Sequence, residues 1–202
     1  MQYNLENYFG EKNIELDRRG RELFSGGLGC THSEIRDQIN FTGWDYGGAS
    51  NRRTHRQRVA EVADSIAWDI FSTRDRYFAL LESAGCLLYA PCARDVIDEL
   101  LGPFIKPWPG ETIGQIRLAW ATKFWHFLKP DAFAIADRHV GDFFQIRESD
   151  HDRPIDEYYA VLNRVREFML SHEDWLPRLR EVDQGQASYD TKLWDKVFYM
   201  AR

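Results

Sequence analysis

The stretch "RPIDEYYAVLNRVREFML", Arg153 to Leu170, spaces Ile155, Tyr158, Tyr159, Leu162, Val165, Phe168 and Met169 at intervals of one, three and four. Residues three and four apart return to one side of an α-helix, so this spacing predicts an amphipathic helix with an apolar stripe on a core. Pro154 suits the first helical turn, where a missing N–H costs nothing. The same period runs through "RVAEVADSIAWDIF" at Val59, Val62, Ile66 and Ile70, and through "ARDVIDELL" at Val96, Leu100 and Leu101. "ETIGQIRLAWATKFWHFL" reads as one helix whose apolar face includes Ile113, Ile116, Trp120, Phe124 and Phe127. "SYDTKLWDKVFYMAR" predicts a docked terminal helix with Leu193, Trp194, Val197, Phe198 and Ala201 behind an Asp190 cap. Only "FAIA", 133–136, hints at strand alternation, and it is too short for a strand. The predicted fold class is all-α.

A chain of 202 residues can bury a core without staples, as one domain over 1–202 or as two small helical lobes around a cleft. The aromatic share of 14% puts many rings in that interior. Cys30, Cys86 and Cys92 form neither a CxxC pair nor a set of four, which excludes a disulfide framework, a zinc ribbon and an iron-sulfur cluster. No cofactor is expected. "MQYNLENYFGEK" has neither a basic start nor an apolar core, and no segment is long enough to span a bilayer. These features predict a soluble, cytoplasmic monomer with no membrane partner.

The formal charge of -6 opposes a nucleic-acid partner on average, since phosphate binding depends on Lys and Arg. Charge distribution therefore decides. The sharpest basic run is "NRRTHRQR", with Arg52, Arg53, Arg56 and Arg58 ahead of Glu61; the alternative reading is a solvated helix start. Breakers cluster at "GWDYGGASN", Gly43 to Asn51, and at "PWPGETIG", Pro107 to Gly114, two loops expected to face a ligand. Gly110 and Gly114 flank a turn feeding a helix N-terminus, whose N–H groups suit a phosphate.

Downstream, "KPDAF" makes a corner, "FAIA" follows, and Asp137, Arg138 and His139 open another short helix in "ADRHVGDFF". The order of Pro-Gly hairpin, apolar helix, "KPDAF" corner, small apolar run and "DRHV" resembles the helix-hairpin-helix DNA glycosylases (the HhH-GPD superfamily), with the hairpin-like segment at 105–144. The resemblance is to the 8-oxoguanine DNA glycosylase-like branch. "ATKFWHFLKPDAFAIADRHV" and "DTKLWDKVFY" are similar to bacterial proteins of that kind, so the likeness covers about the second half of the chain. It implies a DNA partner carrying a damaged or modified base, and base excision in repair or in defence against phage DNA with altered bases.

Cleavage of an N-glycosidic bond passes through a sugar of oxocarbenium character, which a nearby carboxylate stabilises while orienting or deprotonating water. Asp137 matches the family's catalytic acid; its rival role is that of a helix cap, worth about 1 kcal/mol. Arg138 and His139 are candidates for DNA contacts, with a cover for the helix as the rival reading of Arg138 and a satisfied interior position as that of His139. Extruding a base calls for aromatic walls, for which Trp44, Tyr46, Trp120, Trp125 and Trp194 are candidates, with core packing as the rival reading of each. The chain departs from the family where bifunctional members carry a nucleophilic Lys. At the start of that helix "GQIRLAW" has Arg117, and Lys123 comes later, in mid-helix. The Schiff-base role does not transfer to Lys123, which favours monofunctional hydrolysis.

Two rivals come from other classes. His151 and Asp152, with His126 and His139 upstream, suggest a metal-dependent phosphohydrolase, although "RESDHDRP" is a polar loop and a poor place for rigid ligands. A non-catalytic nucleic-acid-binding module of the same fold is the second. No dinucleotide glycine motif, P-loop or Gly-x-Ser-x-Gly elbow is present.

If the basic run follows a DNA backbone, replacing Arg52 and Arg53 with Gln weakens binding to all sequences alike and flattens the dependence of affinity on salt. A fluorescence anisotropy titration at several salt concentrations checks this. An unchanged slope returns "NRRTHRQR" to a solvated face.

Overall fold

The computed structural model describes residues 11–46, 56–105, 115–146, 154–183 and 190–200. In chain order these form α1 (Glu11–Phe24), α2 (His32–Asn40), a π-helical turn (Phe41–Asp45), α3 (Arg56–Ser72), α4 (Arg74–Ser83), α5 (Arg94–Ile105), α6 (Gln115–Leu128), α7 (Arg138–Phe144), α8 (Pro154–Ser171), a 3₁₀ turn (Glu173–Trp175), α9 (Leu176–Asp183) and α10 (Asp190–Met200). There is no strand among the described residues, so the all-α expectation holds for them. None of their helices is long and apolar enough to cross a membrane.

The expected stripe of α8 is the one that faces inward. Ile155, Tyr158, Leu162, Val165 and Met169 are buried, joined by Val161, with Tyr159 and Phe168 half-buried at its edge. On α3, Ile66 and Ile70 are buried beside Ala63 and Ala67, and on α5 Leu100 and Leu101 are joined by Ile97. Local chemistry sets the helix starts. Thr31 caps α2 by accepting from the Glu34 N–H at 3.2 Å, while Glu34 accepts from the Thr31 N–H at 3.0 Å, a reciprocal box that satisfies two otherwise orphaned donors. Helix α5 continues past its expected end to Ile105, with Pro103 in its last turn.

Helix α6 departs from the amphipathic expectation. Leu118 and every residue from Trp120 to His126 are buried, because α1, the π-helical turn, α5 and α8 pack around it. A helix enclosed in this way must satisfy each polar side chain internally. Thr122, Lys123 and His126 do so against the chain that returns along them.

That returning chain is "FAIA". It has no regular secondary structure, no strand pairs with it among the described residues, and side chains bond its backbone. His126 Nδ1 lies 2.6 Å from the Phe133 carbonyl, the Ala136 N–H donates to Thr122 Oγ1 at 3.0 Å, and the Tyr158 hydroxyl donates to the Ala134 carbonyl at 3.0 Å. The corner before it is equally tied down. Lys129 Nζ donates to the Leu81 carbonyl at 2.8 Å and to that of Ala84, and the Leu87 N–H donates to the Asp131 carbonyl at 2.8 Å. Asp137 is thereby delivered to one fixed place beside α6.

Rings fill two ends of one continuous core. Phe24, Phe41, Phe124 and Phe127 cluster where α1, the π-helical turn and α6 meet. Phe143, Phe144, Phe168 and Phe198 join α7, α8 and α10. In the π-helical turn, a Cβ added to Gly43 would stand 2.5 Å from the Trp120 ring, whose Nε1–H donates to the Ile39 carbonyl at 2.9 Å. Gly43→Ala therefore displaces a bonded, buried indole, and overpacking of this kind costs about 1 to 3 kcal/mol. Urea denaturation is expected to show that loss, and parental stability would mean the turn can shift away from the ring.

Candidate functional site

Asp137 is the N-cap of α7. Its Oδ1 accepts from the backbone N–H groups of His139 at 3.0 Å and Val140 at 3.3 Å, leaving Oδ2 to face the Lys123 ammonium at 3.3 Å. The Lys123 side chain is 9% exposed and that of Asp137 18%, so the pair sits at the edge of the interior. Burial pushes the Asp137 carboxyl up, but Lys123, His139 and the Val140 N–H together outweigh it and hold the acid below its ordinary range. Asp137 is therefore a carboxylate at neutral pH. It borders a hollow of about 50 Å³ lined also by Ala119, Ala136, Arg138, Asp142 and Glu157. That volume admits water, and the polar lining offers it partners.

Behind Lys123 lies a second set of buried polar groups. The Tyr46 hydroxyl donates to Asp17 Oδ1 at 2.8 Å and accepts from Lys192 Nζ at 2.7 Å. Lys192 also donates to Asp195 Oδ2 at 2.9 Å and stands 3.5 Å from Asp17 Oδ1. The ammonium of Lys123 lies 5.7 Å from the Tyr46 ring centroid and that of Lys192 5.2 Å, both within cation–π reach. His126 shares this interior. Its burial, with Lys192 nearby, lowers the imidazole to about 4, so it is neutral at physiological pH.

The structure thus brings together Asp137, Lys123 and Tyr46. His139 is half-buried at the second position of α7, close enough to act on the Asp137 charge. Arg138 points outward and pairs with Asp142 at 3.5 Å, both side chains largely exposed. Trp44 is half-buried in a different hollow, of about 440 Å³, with Arg19, Leu23, Phe41 and Asp45, and Asp137 does not line it.

Trp120, Trp125 and Trp194, expected as pocket walls, are packed inside the core. Trp120 is fixed by its bond to Ile39 and by Gly43, and the Trp125 Nε1–H donates to the Leu100 carbonyl at 2.8 Å. Trp194 lies among Phe168 and Trp175, fully buried, and its Nε1–H has no acceptor among the described residues. Gly110, Gly114, Arg52, Arg53, His151 and Asp152 lie outside the described residues. Arg56 opens α3, its side chain likewise outside them. Among the described residues no three His, Cys, Asp or Glu side chains are grouped to hold a metal ion.

Sequence reasoning passed over Asp17, Lys192 and Asp195, and weighed His126 only as a metal ligand. A signal was present on α10. Lys192, Asp195 and Lys196 are interleaved with Leu193, Trp194, Val197 and Phe198, so the segment has too many apolar residues to leave its charges a solvent face. Lys192 and Lys196 are indeed buried, the latter on Asp183 at 2.5 Å.

His126 gives this interior a pH signature. In the unfolded chain an imidazole takes up a proton near pH 6.5, whereas in the fold it does so only near about 4. Between these values the unfolded state binds more protons, so stability falls as pH drops through that window, by about 3 kcal/mol in all. His126→Asn keeps a donor for the Phe133 carbonyl and removes the titration. Urea denaturation at pH 7 and pH 4.5 is expected to show a smaller difference for the variant, and equal differences would mean that His126 titrates freely.

No family model matches the chain, and neither do any curated protein or solved structure.

Proposed function

We propose that the chain is a DNA glycosylase that takes a damaged or modified base out of the duplex and hydrolyses its N-glycosidic bond, with Asp137 as the catalytic carboxylate. The observation that carries this reading is the state of Asp137. It is ionised, oriented by two backbone N–H groups and an ammonium, and borders a hollow of water size. As the base departs, positive charge develops at the anomeric carbon, and a carboxylate already fixed there stabilises it without reorganising. Water beside the same carboxylate is oriented for attack. An extruded base needs more room than about 50 Å³, so its entry requires the hollow to widen. The HhH-like hairpin and the two-lobed cleft belong to this proposal, as does the DNA partner.

The contact of Lys123 with Asp137 favours a second reading within the same class. An amine beside the reacting carbon can itself displace the base and go on to a Schiff base with the opened sugar, with Asp137 as the nearest acceptor for its proton. Lys123 stands in mid-helix and not at the helix start, but the fold brings it to the carboxylate all the same. Sodium borohydride distinguishes the two readings, since it traps an imine and leaves a hydrolytic product untouched.

Asp137→Asn retains the size and much of the capping geometry but loses the negative charge. Removing about 3 to 4 kcal/mol of transition-state stabilisation slows base release roughly a hundredfold to a thousandfold, with DNA affinity near parental. Mass spectrometry of bases released from oxidised, alkylated, deaminated and phage-modified DNAs identifies the substrate and supplies the assay. Under the hydrolytic reading Lys123→Gln leaves base release largely in place and borohydride traps no protein–DNA adduct. Trapping that disappears with Lys123→Gln establishes the amine as nucleophile. A folded Asp137→Asn protein that binds DNA and releases base at the parental rate reduces Asp137 to a helix cap, and the chain to a binding module.

A further inference from the structure

Two buried lysines contact the ring of Tyr46, and they are held in different ways. Lys192 on α10 has three oxygens within reach, from Tyr46, Asp195 and Asp17, so its ammonium is fully engaged. Lys123 on α6 has one polar partner among the described residues, Asp137 Oδ2 at 3.3 Å. Its other contact is the ring of Tyr46. A long, flexible side chain with one ionic contact needs a second restraint to keep a single geometry.

The ring can supply that restraint because it is itself fixed. Phe127 meets it edge-on at 5.0 Å and 90°, and Phe41 packs at 6.0 Å. The hydroxyl is held on both sides, donating to Asp17 and accepting from Lys192. Residues from α1, the π-helical turn, α6 and α10 thus converge on one phenol.

We infer that Tyr46 is a positioning residue whose ring holds the Lys123 ammonium against Asp137, and that Asp17 and Lys192 fix the ring through its hydroxyl. Tyr46 is therefore not a free stacking wall for a base. The consequence for catalysis rests on the glycosylase reading above; the positioning itself does not.

Two readouts keep those apart. The first needs no substrate: reductive methylation of the folded protein, with peptide mass spectrometry at each lysine. Tyr46→Leu is expected to raise labelling of Lys123 severalfold while Lys196, buried on Asp183 elsewhere on α10, stays at its parental level. Tyr46→Phe keeps the ring and is expected to keep Lys123 protected. Tyr46→Met fills more of the same space without a ring face and carries the same expectations as Tyr46→Leu, should the latter fail to fold. Unchanged labelling of Lys123 in a folded ringless variant overturns the inference, as does a joint rise at Lys123 and Lys196, which would mark general loosening.

The second readout is base release. Where borohydride trapping shows Lys123 to be the nucleophile, its misplacement by about 1 Å costs on the order of a hundredfold, so the ringless variants are expected to lose about tenfold to a hundredfold in kcat with little change in KM; where base release is hydrolytic and survives Lys123→Gln, it survives the ringless variants as well. Tyr46→Phe is expected to recover most of that loss. With Lys123 established as the nucleophile, a rise in KM alone, with kcat intact, overturns the positioning role. If the parent releases no base from any DNA, the glycosylase reading fails, and the labelling still decides the place of Tyr46.

Discussion

The enclosure of α6 is the constraint from which the site follows. With α1, the π-helical turn, α5 and α8 packed around the helix, Thr122, Lys123 and His126 are all buried. An unpaired buried polar group costs about 1 to 3 kcal/mol, so each must find a partner inside. All three find it in the chain that folds back after Leu128. Thr122 takes the Ala136 N–H, His126 takes the Phe133 carbonyl, and Lys123 takes Asp137. The same contacts satisfy a segment that has no neighbouring strand among the described residues, with Tyr158 completing the set from α8. One requirement, internal satisfaction, thus fixes both the helix and the position of its acid.

Charge burial separates this interior from an ordinary helical core. Lys123, Lys192 and Lys196 are each buried, as are Asp17 and Asp183. The desolvation of such groups offsets much of their mutual attraction, and apolar residues of similar volume would often serve stability as well. A network of this kind is costly to break once formed, because removing one partner leaves another charge unpaired. It is concentrated around Tyr46 and Asp137, where Asp17, Lys123, Lys192 and Asp195 meet. The pair Lys196 and Asp183 joins α10 to α9.

Much of the site was legible in part. Asp137 could be read as a cap from Asp at the head of "DRHV", and the structure shows that cap; its place as a candidate acid came from resemblance alone. Lys123 was legible as a residue able to pair with a carboxylate, but spacing along the chain could not say which one. The partnership depends on the corner at Lys129 to Ala132 turning the chain back by the right amount, and that corner is held by carbonyls of Leu81 and Ala84 on a distant helix. Tyr46 was legible only as an aromatic near a loop. Its hydroxyl meets Lys192, 146 residues away, and nothing local in the sequence reports such a contact.

By itself the sequence determined α3, α5, α8 and α10, because apolar residues at intervals of three and four can be buried together in no other regular backbone. It also determined the cap of α7, a local matter of one carboxylate and two N–H groups two and three residues on. Which helix is enclosed on all sides was decided by tertiary structure alone. The apolar content of α6 suited one buried face, and the packing of its neighbours buried the rest, so that Lys123 and His126, the latter weighed as a metal ligand, are interior residues. The tryptophans went the same way, with Trp120, Trp125 and Trp194 drawn into the core by the area they bury. Long-range pairing depends on where the chain returns in space, and that is settled by the summed packing of every element, not by the residues adjacent in sequence.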